Sequence, residues 1–187
     1  MLETTRLLLR DFQASDFAAV HAYASDPQVT RFTAFGPNSE SDTRNFLERA
    51  SVESHVTPRR TYTLAIIDKR SQTLIGGCGL ERADDIGPQY VLGYCLDSAY
   101  WNQRFGTEAV RCLLALAFER LDAWRVYAPV FVGNAASARL LTRLGLRLEG
   151  TFRQSFFARG AWHDEMIFAL LRSEWSRSQI DRDVRAS

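Results

Sequence analysis

The chain has 187 residues, 46% hydrophobic, 12% aromatic and 24% charged. A single domain of that length buries about 70% of the surface its unfolded chain exposes, so a full core is within reach. Eleven glycines and five prolines exclude a low-complexity chain, and a net charge of +1 supplies no field for nucleic acid or an anionic membrane. No apolar run approaches the roughly 18 residues of a membrane helix, and the charged start (Glu3, Arg6, Arg10, Asp11) lacks a signal-peptide centre. Neither nucleic acid nor membrane is therefore expected as a partner.

In chain order, residues 6–10 (RLLLR) read as a first strand. Ser15 is the expected cap of a helix carrying Phe17, Val20, Tyr23 and Ala24 at helical spacing, stopped by Asp26-Pro27. Ser39 or Ser41 starts a second helix with Phe46, Leu47 and Ala50 on one face, and residues 55–60 are a linker. Alternation predicts strands over 61–68, 73–81 and 89–96, joined by turns at 68–72 and 82–88, an antiparallel meander. The period then changes: Val110, Leu113, Leu114, Ala117 and Leu121 form an apolar stripe on a helix over 107–121, followed by a strand over 125–132. Strand, helix and strand make a βαβ unit with parallel outer strands. A short helix over 137–144 stops at Gly145, and two closing strands, 147–157 and 162–171, meet at Arg159-Gly160. One domain over 1–175 with a polar, frayed tail over 176–187 is expected, its mixed, mostly antiparallel sheet having six or seven strands.

Pro129 does not suit a central strand, because it has no N–H for the ladder. A local splay between 89–96 and 125–132 would accommodate it, leaving backbone groups that need another partner. Cys78, Cys95 and Cys112 are odd in number, form no CxxC and have no histidine at ligand spacing, and His21, His55 and His163 form no HExxH. Free thiols in a reducing cytoplasm are expected, with neither disulfides nor a metal.

Residues 94–109, YCLDSAYWNQRFGTEA, run from a buried strand through a polar loop into a helix start. First-turn amides are orphan donors at the positive end of the helix dipole, Gly106 admits an anion close to the backbone, and Arg104 adds a full charge. An anion site of the phosphate-cradling kind and an ordinary loop-to-helix junction both fit these residues.

Five segments in this order and spacing resemble the GNAT acyl-CoA N-acyltransferase superfamily, in its ribosomal-protein-alanine N-acetyltransferase branch. They are TRLLLRDF at 5–12, with Asp16 and Asp26-Pro27 after it; LIGGCGL at 74–80; LGYCLDSAYWNQRFGTEA at 92–109; VGNAASARLLTRLGLRLEG at 132–150; and RGAWHDEMIFALLRSEW at 159–175. The family's phosphate loop is Q/R-x-x-G-x-G/A. Here Trp101 takes the first place, Gly106 the last, and Arg104 replaces the middle glycine. The loop amides point inward if Arg104 keeps a negative φ, whereas a left-handed Arg104 would be strained.

The resemblance implies a single GNAT-like α/β domain, of the α+β type, with splayed central strands and acetyl-CoA as acyl donor. It implies cofactor contacts at Cys95, Leu96, Gln103, Arg104, Phe105, Gly106, Thr107 and Asn134, with an amide near Cys95 or Leu96 facing the developing oxyanion. It also implies direct acetyl transfer to an amine, either a protein N-terminal α-amine or a small molecule, with a homodimer among the expected partners. A GNAT-fold acyl-CoA-binding or regulatory module is the alternative. Asn134 and Ser137 match the N-x-x-S that follows the family's fifth strand, and also read as helix caps. Many members place a proton-donating tyrosine one turn on, where this chain has Leu141, so Ser137 inherits the donor role. The branch's basic glutamate has no counterpart in residues 153–157 (RQSFF). Glu81, expected at the mouth of the sheet, is the candidate base, with Asp97, His163, Asp164, Glu165 or an ordered water chain as alternatives.

Overall fold

The computed structural model describes residues 1–83 and 87–175. The tip of the 82–88 turn and the 176–187 tail lie outside the described residues. Eight strands form one sheet in the order β1-β2-β3-β4-β5-β6-β8-β7. They are β1 (Leu2–Glu3), β2 (Leu7–Asp11), β3 (Thr61–Asp68), β4 (Thr73–Arg82), β5 (Gln89–Leu96), β6 (Arg125–Phe131), β7 (Arg147–Ala158) and β8 (Ala161–Leu171). The eighth strand, absent from the sequence reading, is β1, a two-residue edge pairing Leu2 with Leu9. It is too short to show an alternation.

The helices are α1 (Phe17–Ala24), α2 (Pro27–Thr30), α3 (Glu40–His55), α4 (Phe105–Ala115) and α5 (Ala135–Arg143). Asp26 does more than stop α1: its carboxylate accepts from the Gln28 amide and caps α2, with Pro27 at the first helical position. Ser39, not Ser41, caps α3 through a capping box with Asp42. Helix α4 starts two residues before the expected Thr107, because the Glu108 amide already bonds the Arg104 carbonyl. Its last turn, Leu116–Arg120, widens into a π-type turn.

Each sheet face carries a separate core. One lies under α4 and α5 and contains Leu7, Leu9, Ile66, Ile75, Leu80, Leu113, Leu114, Val126, Val130, Leu141 and Leu170. The other lies under α1 to α3 and contains Phe12, Val20, Tyr23, Val29, Leu47, Ala50, Ala65, Ile67 and Leu74. Alternation along each strand sorts side chains between the two. The Arg10 guanidinium clamps the buried Asp16 carboxylate with two hydrogen bonds of 2.7 and 2.8 Å, fixing where the chain leaves β2 for α1. Burial opposes the charge on Asp16, but the Arg10 and Gln13 hydrogen bonds hold its pKa below the usual value.

β5 and β6 are parallel and pair only at Gln89–Arg125, Tyr90–Val126 and Val91–Tyr127. Beyond Val91 and Tyr127 they part, while β5 stays paired to β4 and β6 to β8. Pro129 lies past the last paired position, as its missing N–H predicts.

Candidate active site

The parted strands open into a cleft of about 900 Å³ between the sheet, α1, α3, the 31–38 loop and the β7–β8 hairpin. The Asp97 amide bonds the Ile75 carbonyl, continuing the β4–β5 register of Gly77 with Cys95 and Gly79 with Gly93. By antiparallel alternation the backbone groups of Cys95 and Gly93 face β4, whereas those of Tyr94 and Leu96 face the gap. Of the two amides the sequence offered near the reacting centre, Leu96 therefore addresses the gap and Cys95 does not. The Leu96 carbonyl is already taken by the Trp101 indole at 2.9 Å.

The loop after β5 is left-handed at two non-glycine residues, Asn102 (φ 60°) and Arg104 (φ 63°). Arg104 thus adopts the conformation whose strain the sequence pointed to, and the chain braces it from outside. The Arg6 guanidinium donates to the Gln103 carbonyl at 3.0 Å and lies 4.4 Å from the centre of the Phe105 ring. The same side chain and its backbone amide bond the Glu108 carboxylate at 2.7 and 2.8 Å, joined by the Thr4 hydroxyl. Burial works against the charge on Glu108, yet these donors leave its pKa below the ordinary range. The first-turn amides of Phe105, Gly106 and Thr107 have no carbonyl within the helix to meet. A Cβ on Gly106 would meet Leu140 at 3.1 Å and Leu96 at 3.5 Å, so the missing side chain serves close helix–strand packing. The expected role, room for an anion, is corrected to that extent: the amide is available, but the bare Cα faces the core.

Asn134 accepts from the Ser137 amide at 3.1 Å and caps α5. The Ser137 hydroxyl lies 2.8 Å from the Tyr94 phenol. Leu141, in the place of the family tyrosine, is fully buried. Burial pushes the Tyr94 pKa up to about 12, the Ser137 hydrogen bond lowering it in part, so the phenol keeps its proton at neutral pH. Sequence reasoning missed Tyr94. The available signal was its alternation with Leu92 and Leu96, which turns all three toward the face that α5 covers.

The five candidate bases separate. Asp97 accepts from the Ala99 amide, Asp164 from the Gln154 amide, and His163 Nε2 lies 3.1 Å from the Ala158 carbonyl. None of the three lines the cleft, whereas Glu81 and Glu165 do. Glu81 sits opposite Val91, at the closed end where β5 and β6 still pair, and so away from the mouth at which it was expected. Glu165 sits opposite Phe131, at the open end. A bulge in β7 between Phe152 and Phe156, with Gln154 at φ 48°, lets the Ser155 hydroxyl donate to Glu165 at 2.8 Å. On β5, a Cβ added to Gly93 meets nothing within 4 Å, leaving a bare stretch of strand at the cleft.

A helix N-terminus beside parted parallel strands is the decisive arrangement, and the model of the acetyltransferase (GNAT) domain matches residues 6–147. The chain belongs to the GNAT acetyltransferase family. It is an acetyl-CoA-dependent N-acetyltransferase. It is 31% identical to the uncharacterized N-acetyltransferase p20 of Bacillus licheniformis, over 94% of this chain and 98% of that protein. It is 26% identical to the ribosomal-protein-serine acetyltransferase of Escherichia coli, over 70% of this chain and 71% of that one. The crystal structure of a GNAT-family acetyltransferase from Bacillus anthracis superposes with a TM-score of 0.80 at 28% identity, covering 92% of this chain and 99% of that chain. Among the described residues no helix is long and apolar enough to cross a membrane, and no cluster of three potential metal ligands occurs.

This GNAT chain fits acetyl-CoA by three features: strand β5 bared at Gly93, the gap-facing amides of Tyr94 and Leu96, and the orphan amides that open α4.

Proposed function

We propose that this GNAT enzyme passes the acetyl group directly to a primary amine that enters the cleft from the face carrying α1 and α3. The observation that carries this reading is the parting of β5 and β6 after Val91 and Tyr127, beside the uncapped first turn of α4. When bound, acetyl-CoA supplies an acetyl group activated on a good thiol leaving group.

The chain's own residues divide the remaining work. The amides of residues 103–107 and the Arg104 guanidinium hold the phosphates, braced by Arg6 and Glu108. The gap-facing amides of Tyr94 and Leu96 pair with the extended pantothenate arm of acetyl-CoA and face the thioester carbonyl. Ser137, hydrogen-bonded to the protonated Tyr94 phenol, delivers a proton to the departing sulfur, and Asn134 holds Ser137 in place. A carboxylate of the cleft, Glu81 or Glu165, accepts the proton that the ammonium must lose. Burial pushes the Cys95 thiol up to about 12, so it stays protonated and is a poor nucleophile. That supports direct transfer over an acyl-cysteine route. The name of the Escherichia coli relative points to a ribosomal protein as that enzyme's acceptor, which keeps a protein N-terminus beside small amines as acceptors here.

Calorimetry with acetyl-CoA, followed by thiol release in the presence of amines, tests the reading. One-to-one binding, and release that depends on both the amine and Ser137, are the expected results. Failure to bind acetyl-CoA overturns it.

A further inference from the structure

The acceptor side of the cleft has an unusual lining. Six of the chain's twelve phenylalanines meet there: Phe12, Phe32, Phe35, Phe46, Phe131 and Phe156. Two pairs are in ring contact, Phe12 with Phe46 at 5.1 Å and Phe131 with Phe156 at 5.5 Å. Phe35 is 41% exposed, although it belongs to a wall of apolar rings. Such an exposed ring beside others marks a surface that something apolar covers.

The wall is built in advance. Phe32 and Phe35 ride on the 31–38 loop, held within by the Thr33 hydroxyl on the Phe35 carbonyl (2.6 Å) and at its far end by the Asn38 amide on the Ala24 carbonyl (2.9 Å). Arg159, at the tip of the β7–β8 hairpin, donates to the carbonyls of Thr30, Arg31 and Thr33 at 3.2, 3.2 and 2.7 Å. Two segments more than a hundred residues apart are thus strapped together around the cleft. A preformed apolar wall favours a rigid apolar ligand, because less ordering remains to be done on binding.

Charge narrows the ligand further. Val126, Ala128 and Val130 belong to the core under α4 and α5, so Phe131 faces the acceptor side, and its cross-strand partner Glu165 shares that face. Among the described residues Glu165 receives one hydroxyl, from Ser155, and no cation. Of the other charges lining the cleft, Asp42 is engaged by the Ser39 hydroxyl and amide at 2.6 and 2.9 Å, and Arg49 lies 3.9 Å from Glu53. Glu81 stands at the far, closed end: Val91 and Phe131 mark positions about four residues apart along the strands, roughly 13 Å at the usual rise. Glu165 is therefore the carboxylate that meets an ammonium at the open end, with aromatic rings beside it that also favour a cation.

We propose that the acceptor is a small primary monoamine with an aromatic or similarly bulky apolar body, its ammonium on Glu165 and its hydrocarbon against the phenylalanine wall. This rests on the transferase reading above. Glu165 pairs with the ammonium and takes one proton from its nitrogen, leaving the lone pair free toward the gap. The same wall disfavours a polyamine, whose further ammonium groups would be desolvated against rings, and a polar peptide, whose amides would lose water without partners.

The test measures kcat/KM for 2-phenylethylamine, spermidine and triglycine by thiol release, with acetyl-CoA affinity measured by calorimetry on the same preparations. The expected result is a preference for 2-phenylethylamine of about 10- to 100-fold, the range that burying one ring supports. Phe35→Ala is expected to remove most of that preference through KM. Glu165→Gln, which keeps the Ser155 contact, is expected to lower kcat/KM about 100-fold with acetyl-CoA affinity and Tm unchanged, Glu165→Asp recovering part of it. Acetyl-CoA binding with spermidine or triglycine preferred, or with none of the three acetylated, overturns this proposal and leaves the transferase reading standing. Absence of acetyl-CoA binding overturns both.

Discussion

The two sides of the cleft are made differently. The proposed cofactor side comes from one continuous stretch, β5, its loop, α4, β6 and α5, and offers mainly backbone amides and one serine, Ser137. The acceptor side gathers Phe12, the 31–38 loop, Phe46, Glu81, Phe131, Phe156 and Glu165 from segments spread over the whole chain, and works through side chains. Backbone donors suit a ligand that is the same across a family, since they survive side-chain change. Side chains set specificity, since each can vary without disturbing the sheet. Substitutions on the first side should therefore move acetyl-CoA affinity or the chemical step, and those on the second side amine selectivity.

The largest effect is expected at the boundary between the two. Gly93→Val adds a side chain where nothing lies within 4 Å, so the fold accepts it, yet it fills the bare strand where donor and acceptor meet. We expect kcat/KM for the amine to fall by about 100-fold or more with Tm unchanged, as misplacement at a reacting centre commonly costs. A parental rate in that variant would move the reacting centre elsewhere and erase the boundary.

Next come Ser137→Ala and Tyr94→Phe. Each is expected to lower kcat about 10- to 100-fold while leaving acetyl-CoA affinity nearly intact, the effect staying modest because a thiolate leaves readily. The double variant should be little worse than the more damaging single one, because the two hydroxyls form one chain. Additive losses would separate Tyr94 from Ser137 and assign it to binding.

Tyr94 also has a signature at high pH. Its folded pKa of about 12 lies above the ordinary 10.0, so the native state holds the proton that the unfolded state releases. That contribution is fully present below pH 10 and is lost as pH rises toward 12, by up to about 2–3 kcal/mol. Chemical denaturation at pH 8 and pH 11 should show the parent losing more stability than Tyr94→Phe over that interval. Equal losses would mean that the phenol is not held as described.

The smallest effects belong to the brace. Arg6→Ala removes the bonds to Glu108 and Gln103 and should weaken acetyl-CoA binding about 5- to 10-fold, measured by calorimetry, with amine selectivity unaltered. Arg104→Gly relieves a left-handed arginine and should raise Tm by a degree or two, while loss of the guanidinium weakens acetyl-CoA binding about 3-fold. A change in amine preference from either variant would undo the division between the two sides.

The sequence by itself determined most of the cofactor side. The alternation of 89–96, the stripe of α4, the N-x-x-S at Asn134 and Ser137 and the misplaced Pro129 are all local, and periodicity and caps report local backbone geometry faithfully. From them the βαβ unit, the uncapped helix start after β5 and the splay could be read. Only the tertiary structure decided the rest. Tyr94 reaches Ser137 because β5 and α5 pack across 43 residues of chain, and Arg6 and Thr4 hold Glu108 of α4, Arg6 also the Gln103 carbonyl of the loop before it, about a hundred residues away. Glu165 reaches the open end of the cleft because a bulge in β7 and the register of β8 against Phe131 turn it there, while Glu81 lines the closed end. No local pattern carries such information: which side chains converge depends on strand order, register and bulges, and a one-residue slip in register sends every side chain to the opposite face.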